Sequence, residues 1–217
     1  MRLTRRSLLS VVAAVPFAAP GAGFAADAPV LTERSLGKPD AKLTVEEFFS
    51  LTCSHCAHFQ KEVLPQVRTE LIDKGIVRIV YCDFPLDQIA LTAAVVARAL
   101  PEARYEAFIT ALFAAQDRWA FARNVNNIEE IWKFAALAGL PRASFDKAVA
   151  DEPMKAAILA AQDAASKKFS INSTPSFVIK GVTHAGALPF DRFILAPPPL
   201  TRYQEGGADG KQDRRGA

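Results

Sequence analysis

The sequence predicts an α/β chain, a mixed sheet flanked by helices and carrying an inserted all-helical subdomain. Three observations predict it. Leu43 to Tyr81 reads as strand, helix and strand, Phe84 to about Phe169 reads as helical throughout, and Ser176 to Leu195 reads as a hairpin followed by a helix. A parallel crossover needs only about a dozen residues. Most of the helical block is therefore surplus to the sheet and forms a subdomain of its own. A chain of 217 residues, half of them hydrophobic, is long enough for one sizeable core with such an insertion.

The chain starts differently from the way it continues. Arg2, Arg5 and Arg6 precede an apolar run from Leu8 to Ala19, and small residues follow through Ala25. This is the pattern of a signal peptide, with cleavage expected after Ala25. The run, broken by Pro16, falls short of the roughly 20 residues a spanning helix needs, which argues against an uncleaved anchor. Thr4 to Leu9 also fits a twin-arginine signal, so both the general and the twin-arginine export routes are compatible with it. Removing the three leader arginines leaves 23 basic against 23 acidic residues, a formally neutral mature chain. With no basic patch interleaved with aromatics, nucleic acid is not an expected partner.

In the mature part, Val30 to Ser35 is expected to form a short edge strand and Leu43 to Phe49 a buried one. Phe59, Val63, Leu64 and Val67 recur at helical spacing in a helix predicted from Ser54 to Lys74. Pro65 should kink it, and Gly75 should end it. The β-branched run Ile76 to Tyr81 reads as a central strand. Within the helical block, Pro101 suits a first helical position ahead of Tyr105, Phe108, Ile109, Leu112 and Phe113. Asn126 and Asn127, with Glu129 and Glu130 three residues on, offer capping boxes. Gly139 and Pro141 stop that helix. Pro153 starts another, with Met154, Ala157, Ile158 and Ala161 on one face. Ser176 to Lys180 and Val182 to Ala187 can pair through Gly181, and Leu188 to Leu195 suggests a closing helix that Pro197-Pro198-Pro199 would terminate. The expected domain spans residues 26–196 with its insertion at about 85–168. Residues 197–217, Gly-rich and charged, are expected to be a disordered tail.

Chemistry concentrates at Cys53-Ser54-His55-Cys56, where the Leu43 to Phe49 strand runs into the helix. A cysteine at a helix N-terminus faces unpaired N–H groups and the positive end of the helix dipole, so its thiolate is stabilised. His55 can add a second positive influence. Two intervening residues place both sulfurs on one helical turn, where a disulfide can open and close. Of the three cysteines, Cys82 is left over and reads as an inert, buried thiol. Glu47, in a hydrophobic strand, should carry a raised pKa, and Glu46 should face the other side of the sheet. Without further information Glu47 also fits a surface acid on an edge strand. A zinc site built from Cys53, Cys56, Cys82 and one of His55, His58 or His184 is the rival from another class, although no second Cys-X-X-Cys is present. A peptide-binding chaperone-like domain is a further alternative.

Glu47-Phe48-Phe49-Ser50 running into Cys53-Ser54-His55-Cys56, the helical insertion, and Ser173-Thr174-Pro175-Ser176-Phe177 before the last hairpin together resemble the DsbA family of periplasmic thiol:disulfide oxidoreductases, over about residues 40 to 195. The resemblance implies a thioredoxin fold. It also implies an exposed nucleophile at Cys53, a more buried partner at Cys56, a proton-moving acid at Glu47, and a cis Pro175 facing the disulfide while the backbone of Thr174 pairs with bound substrate. The disulfide itself stores the two electrons, so no cofactor and no metal are expected. The implied partners are exported cysteine-containing proteins and a DsbB-like quinone-linked membrane reoxidase. A monomer is expected, and the lack of a separate dimerisation segment before residue 40 lowers the isomerase reading, which would call for a second cleft or a dimer. Threonine before this proline recurs in relatives acting as isomerases or reductases, while many oxidases carry valine. An isomerase or reductase of the same fold is therefore the alternative within the redox class.

Overall fold

The computed structural model describes residues 29–194. The expected leader cleavage, the triple proline and the polar tail lie outside these residues. The chain runs β1 (Arg34–Leu36), β2 (Leu43–Phe49), α1 (Ser54–His58), α2 (Leu64–Val67), β3 (Val77–Asp83), α3 (Gln88–Ala99), α4 (Glu102–Ala114), α5 (Gln116–Trp119), α6 (Asn127–Leu137), α7 (Arg142–Val149), α8 (Glu152–Phe169), β4 (Ser176–Ile179), β5 (Val182–Ala185) and α9 (Phe190–Ile194). The five strands lie in the order β1-β3-β2-β4-β5, with β2 and β3 parallel and the other pairings antiparallel. This is the expected mixed sheet, and six helices separate β3 from β4. Among the described residues no helix is long and apolar enough to cross a membrane.

Several boundaries differ from the sequence reading. The first strand starts only at Arg34, because Val30 is exposed and the chain meets β3 at the Arg34–Tyr81 pair. The Ile76 to Tyr81 run forms an interior strand as expected, paired with β1 on one side and β2 on the other, and β2 takes the middle position. Ile76 itself is partly exposed, and β3 extends to Asp83 alongside Phe49. The helix predicted from Ser54 to Lys74 runs without a gap from Ser54 to Ile72, but it is not regular α-helix throughout. π turns at Phe59–Val63 and Arg68–Ile72 flank α2. Pro65 sits in the first turn of α2, where its missing N–H breaks the i to i−4 ladder, and Gly75 closes the segment at φ +70°. Pro101 caps α4 instead of opening it. Asn126 caps α6 as predicted, accepting from the N–H groups of Ile128 and Glu129. On α8 only Ile158 is fully buried and Ala161 is exposed, so its apolar face is narrower than predicted. The turn between β4 and β5 uses Lys180 and Gly181, both at positive φ, which matches a two-residue hairpin. The last helix begins at Phe190 because Leu188 precedes Pro189 and is disfavoured from helical geometry.

Strand alternation divides the core. Val45, Phe49, Ile79, Tyr81, Phe177 and Ile179 face a large cluster shared with α1, α3, α4 and α9. Phe48, Cys82 and Val178 face a smaller one closed by Phe84, Ile171 and the Ala165 and Phe169 side chains of α8. Residues two apart on β2 thus share one core, and neighbours do not. Glu47 is consequently driven into the large core by the strand period itself.

Candidate active site

The end of β2 delivers the chain to the cysteines through a short bonded loop. The N–H of Cys53 donates to the Ser50 carbonyl at 3.0 Å, and the Ser50 hydroxyl accepts from the N–H groups of Thr52 and Leu86. The Thr52 hydroxyl donates to Asp87, the cap of α3, at 2.6 Å. Cys53 itself caps α1 in an extended conformation, φ −83° and ψ 120°, and its sulfur accepts the backbone N–H of Cys56 at 3.4 Å. Both thiols are free.

The two sulfurs have opposite electrostatics. The Cys53 thiol is held down to about 5. Hydrogen bonding from the Cys56 thiol contributes most, opposed by burial and aided by the Thr174 side chain and the N–H groups of Cys56 and His55. The Cys56 thiol is pushed far up, first by burial, then by bonding to the Cys53 sulfur and by its charge. Cys56 therefore keeps its proton and shares it with a Cys53 thiolate. Cys53, expected to be the exposed member, is only 7% accessible, and Cys56 is fully buried. Part of that cover comes from Thr174, whose carbonyl accepts the Cys53 thiol at 3.3 Å. His55 lies in the exposed first turn, and the group through which it acts on the sulfur is its backbone N–H.

Glu47 is fully buried on β2, the middle strand, paired with Tyr81 on one side and Phe177 on the other, which removes the edge-strand surface reading. Burial pushes its carboxyl up to about 8, and the Gln60 side chain offsets part of that rise. Neither carboxyl oxygen has a partner within hydrogen-bonding distance, nor does the Gln60 amide or the Tyr81 hydroxyl. The carboxyl is therefore held mainly in its neutral form at pH 7, and its charge is coupled to Cys56. Glu46 faces the other side, towards Phe48, Cys82 and Lys168. Pro175 is buried, follows a cis peptide bond from Thr174, and accepts the N–H of Gly186 through its carbonyl at 2.8 Å.

The zinc set does not converge. Cys82 lies across the sheet from Cys53 and Cys56, its thiol raised by burial and by Glu46 and Asp83, and His55 and His58 are exposed. Among the described residues no three His, Cys, Asp or Glu side chains form a metal-sized group. Two residues absent from the sequence reading enter the site. Gln60, four positions after Cys56, was findable from helical spacing. Gln116, whose amide donates to the carbonyls of Leu51 and Cys53, had no local signal.

The family model described as Thioredoxin matches residues 30–194. A Rickettsia prowazekii protein named as a protein-disulfide oxidoreductase is 26% identical over 148 residues, covering 68% of this chain and 54% of that protein. The chain thus spans about half the length of the curated relatives it matches. Among solved structures, alpha-DsbA1 of Wolbachia pipientis is 28% identical at a TM-score of 0.70, over 76% of this chain and 89% of that one. A protein-disulfide isomerase from Novosphingobium aromaticivorans is 27% identical at 0.66, over 76% and 96%.

Proposed function

Because the chain belongs to the thioredoxin family, we propose that it is a thiol:disulfide oxidoreductase that introduces disulfides into exported proteins through Cys53 and Cys56. The observation that carries this reading is the Cys53 sulfur at the cap of α1, its thiol held down to about 5 beside a Cys56 that stays protonated. In the oxidised enzyme a substrate thiolate attacks the Cys53 sulfur. The Cys53–Cys56 bond breaks, Cys56 leaves with the electron pair, and the neutral Glu47 carboxyl supplies its proton. A second substrate thiolate attacks the substrate sulfur of the mixed disulfide, and Cys53 leaves as thiolate. The substrate has then lost two electrons and the enzyme has gained them. A low pKa favours both the attack on Cys53 and its departure.

The leader at residues 1–25 and the domain at 26–196, with its insertion at about 85–168, fit an exported, periplasmic monomer. A quinone-linked membrane protein of the DsbB kind would reoxidise the pair, and no cofactor would be needed. Thr174 and Pro175 would align an extended substrate segment beside the sulfur. Isomerase action is the second reading, favoured by Thr174 before the cis proline and by the name of the Novosphingobium relative. The potential of the pair against glutathione separates the directions. An oxidase is expected to lie well above about −230 mV, and a value at or below that would overturn the oxidase reading. Efficient refolding of scrambled disulfide substrates would favour the isomerase.

A further inference from the structure

Gln116 stands at the bend between α4 and α5, 63 residues along the chain from Cys53, yet its amide ends on the backbone at the cysteine. Nε2 donates to the carbonyl oxygen of Leu51 at 2.8 Å and to that of Cys53 at 3.0 Å, and the residue is buried. An amide nitrogen carries two protons, and here each has its own acceptor. The bend that aims it is firmly built. Ala115 leaves the helical region at φ −126°, ψ 27°, and the fully buried Trp119 donates through Nε1 to the Leu112 carbonyl at 2.7 Å. Asn127 of α6 in turn donates to the Trp119 carbonyl at 2.6 Å.

These bonds pin the Cys53 backbone from the insertion side, while the sheet side is pinned by Cys53 N–H to Ser50. The Cys53 carbonyl also accepts the first helical bond from Ala57 at 3.1 Å, so Gln116 completes its second lone pair. We propose that Gln116 is a positioning residue for Cys53: by holding the Leu51 and Cys53 carbonyls it keeps the Cys53 sulfur over the Cys56 N–H, and so makes the helical insertion part of the thiol chemistry. This rests on the exchange reading given above. Without the amide, the buried Leu51 carbonyl loses its donor, the Cys53 carbonyl keeps only the Ala57 N–H, and the cap can rotate away from the geometry that stabilises the thiolate.

The test uses the full chain with Gln116→Met, which keeps length and removes the donors, and Gln116→Ser, which opens room for water to reach the carbonyls and spares folding. Three quantities are read in each: the thiolate absorbance titration of Cys53, the exchange equilibrium with glutathione at pH 7, and thermal unfolding of the oxidised and reduced forms. In Gln116→Met the titration midpoint is expected to rise by about one pH unit. The enzyme's reduction constant should fall about tenfold, equivalent to about 30 mV. The reduced form should lose more stability than the oxidised one. Gln116→Ser should shift the same way by less, and it decides the matter if the Met variant does not fold. Equal loss of stability in both redox forms, with titration and equilibrium unmoved, overturns the positioning role alone. A wild-type protein with no exchange and no low titration removes the exchange reading, and this inference with it.

Discussion

The Cys53 thiol and the Thr174 carbonyl meet at 3.3 Å across 121 residues of sequence. The contact suits a thiol, which can donate to it, and disfavours a thiolate, which cannot. The Cys56 thiol and the N–H groups of Cys56 and His55 act in the other direction and prevail, holding Cys53 down to about 5. Above that pH the reduced pair binds one proton rather than two. The potential of the pair is therefore expected to fall by about 59 mV per pH unit below about pH 5 and by about 30 mV per unit above it. Equilibration with glutathione across pH 4 to 8 reads this directly, and an unbroken slope of about 59 mV through neutrality would contradict the assignment.

Glu47 should make stability depend on pH in a definite sense. Its folded value is raised from the ordinary 4.5 to about 8 by burial. Its contribution is then fully present below about pH 4.5 and is lost as pH rises through about 8. Glu47→Gln should match wild type near pH 4 and exceed it by roughly 3 kcal/mol at pH 7, read from urea unfolding at each pH. The same variant should slow exchange by on the order of 100-fold, because Cys56 loses its proton donor. Identical urea midpoints at both pH values would show that the carboxyl is not held neutral.

Reactivity should separate the three cysteines. At pH 7 the reduced protein is expected to take up one equivalent of iodoacetamide, at Cys53, because the thiols of Cys56 and Cys82 are both pushed up by burial. Cys82→Ala should leave the exchange rate within about twofold of wild type. Peptide mass mapping checks the labelling, and early modification of Cys82 would be the contrary result.

Three rings join the site helix to the rest of the fold. Phe59, just past α1, packs on Phe177 of β4 at 4.7 Å and on Phe193 of α9 at 5.8 Å between centroids. Phe59→Ala removes the shared member and should cost about 3–5 kcal/mol, measured by urea unfolding of the reduced protein. A loss below about 1 kcal/mol would mean that the site collapses to fill the space.

What the sequence determined alone was local. The reactive pair at a strand-to-helix junction, the opposition of Glu46 and Glu47, the break at Pro65 and the cap at Asn126 follow from periods of two or 3.6 and from bonds spanning a few residues. Tertiary structure alone decided that β2 rather than β3 runs through the middle of the sheet, that Cys53 is covered, and that Thr174 and Gln116 reach its backbone and sulfur. Those contacts end on main-chain carbonyls, which every residue carries. No residue type at position 51 or 53 announces them, and only the packing that brings distant segments together selects which carbonyl is met.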